Sequence, residues 1–349
     1  MVRRHDCRHT LAITLSDGAT AVEEEALTTR LEQSAWMPGR GLRGTSSRLR
    51  TRVLDDGVGP LFLAPALILL LLILVGPFCF MVWTSLTDLS YSLPGRDGNF
   101  VGFDNFRRLM HDPIFWHSFT LTVGFVAAVV AVEFVLGFAL ALLFRHQLRR
   151  QGIVLTLFLI PMMLAPVAIG LIWKLLLQGD FGMLTYYLRA VDIIDLRTAL
   201  LSDPDLVLAT IMLIDVWQWT PFVALVLLAG LLSLPREPYE AAVMDGARPW
   251  QIFRDVTVPL LRPIIALVIL LRAIDAFKEF DKVFILTGGG PGIATELLSI
   301  YAYRMSFKDW DLGYGAACAF MVYLVVLIMC SVFYKAVFWT QRRVPQRIA

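Results

Sequence analysis

Six charged residues lie close together in a stretch that is otherwise apolar enough to cross a membrane. They are Arg272, Asp275, Lys278, Glu279, Asp281 and Lys282. At 100° per residue, one stripe of a helix would carry four of them: Arg272, Asp275, Glu279 and Lys282. Because ionised groups that face lipid are costly, this stripe is predicted to face protein or water.

Two interpretations of the stripe are open. In the first, it lines a wet pathway, where Asp275 and Glu279 hydrogen-bond the polar groups of a substrate. In the second, it is a structural seam held by i,i+3 ion pairs, Arg272 with Asp275 and Glu279 with Lys282.

A second constellation combines polar and aromatic residues in an earlier apolar stretch. Asp215, Gln218, Trp219 and Phe222 recur at i, i+3, i+4 and i+7, so they share one helix face. Aromatic rings can stack on the ring faces of a sugar while polar groups bind its hydroxyls, so this face is a candidate substrate pathway. The alternative is a helix–helix interface in which Trp219 and Phe222 only pack.

Three more residues are unusual in apolar stretches: Glu133, Lys174 and Pro221. Pro221 is predicted to kink its helix. The two charges are predicted to pair, either with each other or with a partner chain, because a lone charge at membrane depth is costly.

The composition indicates an integral membrane protein. Of 349 residues, 57% are hydrophobic and 17% are charged, whereas a soluble domain carries about 25% charged residues. The four cysteines form no CxxC pair and the five histidines lack ligand spacing, so neither a disulfide framework nor a metal site is predicted. The net charge of +2 gives no indication of nucleic-acid binding.

Six membrane spans are predicted, since a helix needs roughly 20 residues to cross the hydrocarbon core. They lie near residues 61–86, 118–144, 152–177 and 206–232, from Pro263 onward, and near 312–338. Residues 56–349 therefore form a transmembrane domain. Residues 1–55 are polar and are predicted to be a disordered cytoplasmic tail, unless translation begins at Met37.

The basic residues predict the orientation of the chain. Arginines cluster at positions 48–52, 145–150 and 342–347, and short basic flanks favour the cytoplasmic side. Both termini and the segment 233–262 are therefore expected inside. In the loops expected outside, Asp104 is a predicted helix N-cap, and the glycines of 288–292 predict a tight turn. That turn lacks the Lys-Ser/Thr of a phosphate loop, so no nucleotide site is indicated.

The segment 233–262 contains the residues that typically begin and end the helices of a helix–turn–helix. Pro238 suits a first helical turn, Gly246 permits the left-handed conformation that ends a helix, and Pro249 can open a second helix. Apolar residues stand among charges here, which favours docking in a partner groove. The alternative is an amphipathic loop on lipid headgroups.

This segment resembles the EAA loop of permeases from binding-protein-dependent ABC importers of the carbohydrate (maltose and glycerol-phosphate) type. The matching residues are Glu240, Ala241, Ala242, Asp245, Gly246, Ala247, Phe253, Pro259 and Pro263. Trp217, Pro221, Phe222 and the stretches 102–106 and 286–292 also fit. The likeness covers about residues 60–340. The expected fold class is thus an all-α membrane protein with six transmembrane helices, cytoplasmic termini and the ABC importer permease fold.

The resemblance implies that ATP hydrolysis, membrane passage and substrate delivery are carried out by different subunits of one complex. Two cytosolic ATPase subunits would hold ATP and Mg, so this chain would carry no cofactor and would not be an enzyme. A second permease subunit, commonly a different chain, and an extracytoplasmic solute-binding protein would complete the complex in the inner membrane of a prokaryote. Glu240 would contact the ATPase cleft, and the other loop residues would form the coupling helices.

Two other classes of function compete with this expectation. An ion-coupled secondary transporter or channel would use the charged stripe, and it would predict inverted repeats and discontinuous helices. A membrane scaffold would need none of the polar residues inside the spans. No internal repeat is visible in the sequence.

Overall fold

The computed structural model describes residues 58–92, 94–147, 152–195 and 199–341. The predicted tail and the arginines at 48–52, 149–150 and 342–347 lie outside these residues. The chain divides into two compact units, residues 1–75 and 76–349. The described part of the first unit is the beginning of one apolar helix, and the core and the site described below lie in the second unit.

The described residues are helical almost throughout. In chain order the helices are α1 (Val58–Ser85), α2 (Asp104–Met110), α3 (Pro113–Gln147), α4 (Gly152–Met163), α5 (Pro166–Leu176), α6 (Met183–Ala190), α7 (Val207–Ser233), α8 (Glu237–Met244), α9 (Pro249–Ile252), α10 (Val258–Phe277), α11 (Asp281–Leu286), α12 (Leu298–Tyr303) and α13 (Leu312–Gln341). Two π-helical turns, Phe253–Thr257 and Arg304–Lys308, directly precede α10 and follow α12.

The membrane spans agree with the expected fold class. Five segments are long and apolar enough to cross a membrane: Leu63–Ser85, Pro113–Arg145, Val207–Ser233, Pro249–Leu286 and Leu312–Lys335. A sixth span results if the bent pair α4 and α5 counts as one. The all-α architecture is therefore confirmed.

The third predicted span differs from a single helix. α4 and α5 meet at a bend of 97°. The physical cause is Pro166, which opens α5 and holds Ala165 in an extended conformation, with φ −62° and ψ 136°. A proline at this position cannot continue the hydrogen-bond ladder of α4.

The fifth predicted span also differs from a single helix. α10 begins at Val258, five residues before the predicted start, and it ends at Phe277. α11 then begins at Asp281, so residues 278–280 form a break inside the apolar segment. The charged stripe predicted on one continuous helix is thus divided between two helices.

Two loop predictions have different outcomes. Asp104 makes no capping hydrogen bond and is the first residue of α2 rather than its N-cap, so that prediction is wrong. It still lies in the first turn, where a negative charge complements the helix dipole. The turn after α11 is confirmed, because Gly288, Gly289 and Gly292 all have positive φ.

The hydrophobic core consists of two clusters. The first joins the beginning of α3 and α7 to α5, the end of α10, α11, α12 and α13. The second joins the later parts of α3 and α7 to the beginning of α10. α3 and α7 approach each other closely at Gly137, where an added Cβ would lie 2.7 Å from Val223 Cγ1.

Candidate functional site

Arg272 is the centre of a buried ionic network. Its Nε and Nη2 donate to the two carboxylate oxygens of Glu133 at 2.6 and 2.9 Å. Nη2 also donates to Asp215 Oδ2. The Arg272 side chain is only 1% exposed and both carboxylates are fully buried, so these charges depend on each other for stabilisation.

Asp215 extends the network to a second cation. Its other oxygen, Oδ1, accepts a hydrogen bond from Lys282 Nζ. Lys282 in turn lies 3.1 Å from Glu279 Oε2. The two cations that bind Asp215 lie on opposite sides of the break at residues 278–280.

The ion pairs predicted for a structural seam are confirmed. Arg272 Nη1 lies 3.2 Å from Asp275 Oδ2, and Lys282 pairs with Glu279. The predicted pairing of Glu133 with Lys174 is wrong, because Glu133 binds Arg272 and Lys174 Nζ donates to the carbonyl oxygen of Ile285 at 2.7 Å.

The pathway candidates differ in their accessibility. Asp215 and Gln218 are 0% exposed and Glu279 is 8% exposed, whereas Trp219 and Phe222 are half-buried. The Asp275 side chain is 33% exposed. Of these candidates, only Trp219, Phe222 and Asp275 are accessible beyond a few per cent. The pathway role stays a prediction.

Three buried polar atoms on α7 have no partner among the residues that the structure describes. They are both amide atoms of Gln218 and the indole Nε1 of Trp219. Trp219 does contact Arg272, whose guanidinium carbon lies 5.0 Å from the indole centroid. Buried polar atoms are usually satisfied, so these atoms are candidates for contacts made in another state or with another molecule.

Polar residues separate the two hydrophobic clusters, and we call Glu133, Asp215, Gln218, Trp219 and Arg272 the polar layer. On α3 the first cluster extends to Val130 and the second begins at Phe134. On α7 the change occurs between Val216 and Phe222, and on α10 it occurs between Ile269 and Ala273. Each of the three helices therefore passes from one cluster to the other at the polar layer.

The segment that joins α7 to α10 has the predicted helix–turn–helix form. Gly246 has φ +74°. Its N–H donates to the carbonyl of Val243 at 3.0 Å, and the Ala247 N–H donates to the carbonyl of Ala242 at 3.0 Å. This is the hydrogen-bond pattern of a Schellman motif. Pro249 opens α9 as predicted.

Two contacts hold this segment against α3, and a hydrogen bond within the segment ties it to the turn before α10. The Tyr239 hydroxyl donates to Thr257 Oγ1 at 3.1 Å, and the Arg145 guanidinium carbon lies 5.3 Å from the Tyr239 ring centroid. The Phe253 ring is 5.7 Å from the ring of Phe138. Displacement of the segment would therefore reach α3 and α10.

The opposite side of the segment is exposed. Met244 is 86% exposed and Trp250 is 68% exposed, and Glu240, Ala241 and Asp245 are exposed beside them. A cleft of about 330 Å³ is lined by Ala242, Asp245, Gly246, Ala247, Gln251, Ile252, Asp255 and Val256. Phe253 and Pro259 lie on the half-buried side. Large apolar side chains mixed with carboxylates suit a protein partner.

A second polar cluster joins the beginnings of α3 and α13 to α12. The hydroxyls of Tyr301 and Tyr314 both donate to Asp112 Oδ2, and Arg108 Nη1 lies 2.7 Å from Asp311 Oδ2. Burial alone would raise the pKa of the Asp112 carboxyl, but hydrogen bonds from the two hydroxyls and from two backbone amides lower it. Sequence reasoning missed this cluster, because its members have no recognisable spacing.

Comparisons with known proteins show a family likeness over most of the chain. Residues 133–347 match the family described as binding-protein-dependent transport system inner membrane component. The chain is 36% identical to a probable ABC transporter permease protein of Sinorhizobium fredii, over 83% of this chain and 92% of the relative. It is 33% identical to the trehalose/maltose transport system permease protein of Thermococcus litoralis, over 83% of this chain and 96% of the relative.

A solved structure has the same fold. One chain of a bacterial alginate ABC transporter, crystallised in complex with an alginate pentasaccharide-bound periplasmic protein, superposes with a TM-score of 0.68. The sequences are 21% identical, and the match covers 81% of this chain and 96% of that chain.

Proposed function

This chain belongs to the family of binding-protein-dependent transport system inner membrane components, and we propose that it is one permease subunit of an ATP-driven importer for a sugar or related polyol. It is a multi-pass protein of a prokaryotic inner membrane and not an enzyme. The sugar assignment is supported by the trehalose/maltose permease, which it matches over nearly the whole length of that relative.

The segment 233–262 is proposed to receive the push of a cytosolic ATPase. The observation that carries this proposal is the Schellman turn at Gly246, which presents Met244 to solvent while Tyr239 and Phe253 hold the other side against membrane helices. A rigid, exposed and anchored helix pair can pass on a displacement. Two such ATPase subunits would supply ATP and Mg.

The transport cycle is proposed to be alternating access. Closure of the ATPases on ATP would push this segment and its equivalent in a second permease subunit toward each other. Through Thr257 and Phe138 the push would reach α10 and α3 and open the pathway outward. An extracytoplasmic solute-binding protein would deliver the sugar at that moment.

The pathway is proposed to run along the accessible part of the polar–aromatic face. Trp219 and Phe222 pack edge to face with centroids 6.1 Å apart, which gives a sugar ring an aromatic surface. Asp275 is partly exposed near this surface and paired with Lys278 at 3.3 Å. Asp215, Gln218 and Glu279 would support these residues from within the subunit.

Photocrosslinking tests the ATPase contact. A benzoylphenylalanine introduced at Met244 should crosslink to the ATPase subunit in membranes. The same probe at Phe103, which is 76% exposed in the segment expected outside, is the matched control and should not. Crosslinking from Phe103 alone would contradict both the contact and the orientation.

Transport tests the energy source. The purified complex, with this chain, its partner permease, both ATPases and the binding protein, is reconstituted into proteoliposomes with trehalose and maltose as probes. Uptake should require ATP on the ATPase side and the binding protein on the other. Uptake that is driven by an ion gradient without ATP would favour the secondary-transporter alternative instead.

A further inference from the structure

The break in span five separates two helices with different neighbours. α10 continues directly from the π-helical turn Phe253–Thr257 of the segment 233–262, and its beginning packs in the second hydrophobic cluster with α3 and α7. α11 packs on α5, where an added Cβ at Gly170 would lie 3.0 Å from Ile285 Cβ and Lys174 binds the Ile285 carbonyl. The two halves of the span therefore belong to different parts of the subunit.

Asp215 connects these halves. It binds Arg272, which precedes the break, and Lys282, which follows it. Glu133 pairs with Arg272, and Glu279 pairs with Lys282. Within the described part of the chain, Asp215 is thus the one carboxylate that pairs with both cations, and it does so from the polar layer where the hydrophobic clusters meet.

The polar layer also offers a second set of partners. Gln218 lies three residues after Asp215 on the same face of α7, and its buried amide has no partner in the described structure. An amide oxygen there can accept a hydrogen bond from a cation that leaves Asp215. Two discrete arrangements of a packed element are what a conformational switch requires.

We propose that Asp215 is a positioning residue for transport: it fixes the angle between α10 and α11, and the two halves of span five change this angle about residues 278–280 when the ATPases engage. The inference rests on the proposed function. The segment 233–262 moves α10, Arg272 or Lys282 exchanges Asp215 for Gln218, and α11 moves with α5 and the glycine turn on the opposite side.

The test compares two carboxylates of the same network. Asp215→Asn cuts the link across the break, yet Arg272 keeps Glu133 and Lys282 keeps Glu279. Glu133→Gln is the matched control, because it removes an equally buried carboxylate that binds on one side of the break only. We expect Asp215→Asn to lower the ratio of maltose transported to ATP hydrolysed about tenfold, a typical coupling between sites, and Glu133→Gln to leave this ratio unchanged.

A distance measurement separates positioning from substrate binding. Spin labels at Leu267 on α10 and Ile293 in the glycine turn, both exposed, report the angle in the full complex without sugar. In the wild type, AMP-PNP with the binding protein should shift the distance distribution. In Asp215→Asn the distribution should already be broad without nucleotide, and in Glu133→Gln it should match the wild type.

Several results would overturn the inference. If the spin-label distance distribution of the wild type did not change with AMP-PNP and the binding protein, movement about the break would be excluded. This measurement needs no variant. Equal transport ratios for Asp215→Asn and the wild type would also contradict the inference. Equal defects in Asp215→Asn and Glu133→Gln would contradict it as well. Should Asp215→Asn fail to assemble, Lys282→Gln removes the same link from the other side and should show the same loss. If the wild type shows no ATP-driven uptake, the proposed function fails instead.

Discussion

Arg272 donates two hydrogen bonds to Glu133, a residue 139 positions earlier, at N···O distances of 2.6 and 2.9 Å. The same guanidinium group binds Asp215 on a third helix. One cation therefore joins α3, α7 and α10 inside the subunit, where its side chain is only 1% exposed. In such a place the loss of one charge leaves its partners uncompensated.

Arg272→Met is expected to destabilise the complex strongly. It leaves Glu133 without its ion pair, and breaking a buried pair in this way costs about 3–5 kcal/mol. Thermal unfolding of the purified complex, followed by size-exclusion chromatography after heating, measures the effect.

The control for this prediction is Arg254→Gln in the segment 233–262. Arg254 pairs with Asp255 at 3.3 Å, but the two side chains are 74% and 62% exposed. Exposed pairs contribute little, so the midpoint should stay near that of the wild type. If both variants lowered the thermal midpoint equally, burial of the Arg272 ion pairs would not explain the effect.

Short-range spacing made part of this network predictable. The pairs of Arg272 with Asp275 and of Glu279 with Lys282 follow from i,i+3 geometry, which the sequence displays directly. The contacts of Asp215 with both cations could not be predicted, because they join positions 57 and 67 residues apart. They depend on how three helices pack and on a helix break that single-helix geometry does not contain.

Gly246→Val is expected to uncouple ATP hydrolysis from transport without preventing membrane insertion. The backbone has φ +74°, which costs a residue with a side chain roughly 1–2 kcal/mol and a β-branched one more. Nothing lies within 4 Å of an added Cβ, so the effect comes from the turn and not from a clash. Uptake and ATPase rates of the reconstituted complex measure it.

Gly246→Asn is the matched control at the same position. Asparagine tolerates the left-handed conformation, so this variant should keep most of the transport. If valine transported at the wild-type rate, or if both variants failed equally, the conformation of the turn would not be what the coupling requires.

Gly137→Ala is expected to disturb the packing of α3 on α7. The new Cβ would lie 2.7 Å from Val223 Cγ1 and 3.1 Å from the backbone nitrogen of Ala224, and overpacking of this kind costs about 1–3 kcal/mol. Gly124→Ala on the same helix is the control, since nothing lies within 4 Å of its Cβ. It should be neutral or stabilising by roughly 0.5–1 kcal/mol. If the two variants lowered the thermal midpoint by the same amount, the prediction would be contradicted.

The fold illustrates the same limit of sequence reasoning. Hydropathy and length located the apolar segments, and Pro238, Gly246 and Pro249 located the turns of the segment 233–262, because each acts through its own backbone. Pro166 carries a local signal too, but hydropathy and length predicted one span over residues 152–177 and did not give the 97° bend. The partnerless amide of Gln218 is visible only once its neighbours are known.

Acid sensitivity is expected from Asp112. The pKa of its carboxyl is lowered from the ordinary 3.8, because hydrogen bonds to the ionised form outweigh burial. The folded protein then binds fewer protons than the unfolded chain just below pH 3.8, so stability rises with pH there. The contribution is complete above the ordinary pKa and is lost as pH falls through the lowered one.

Two variants make this pH dependence measurable. Asp112→Asn should lower the thermal midpoint at neutral pH, and it should remove part of the decline that the wild type shows below about pH 4. Tyr301→Phe removes one of the two hydroxyl donors, while Tyr314 still donates at 2.6 Å, so the pKa of Asp112 should be lowered less. The acid decline of this variant should therefore be smaller than that of the wild type and should end at a higher pH. Thermal midpoints of the wild type and both variants, measured from about pH 3 to pH 7, test these expectations. If the asparagine variant kept the full acid decline, that decline would come from other carboxylates, and the two tyrosines would be mere packing around Asp112.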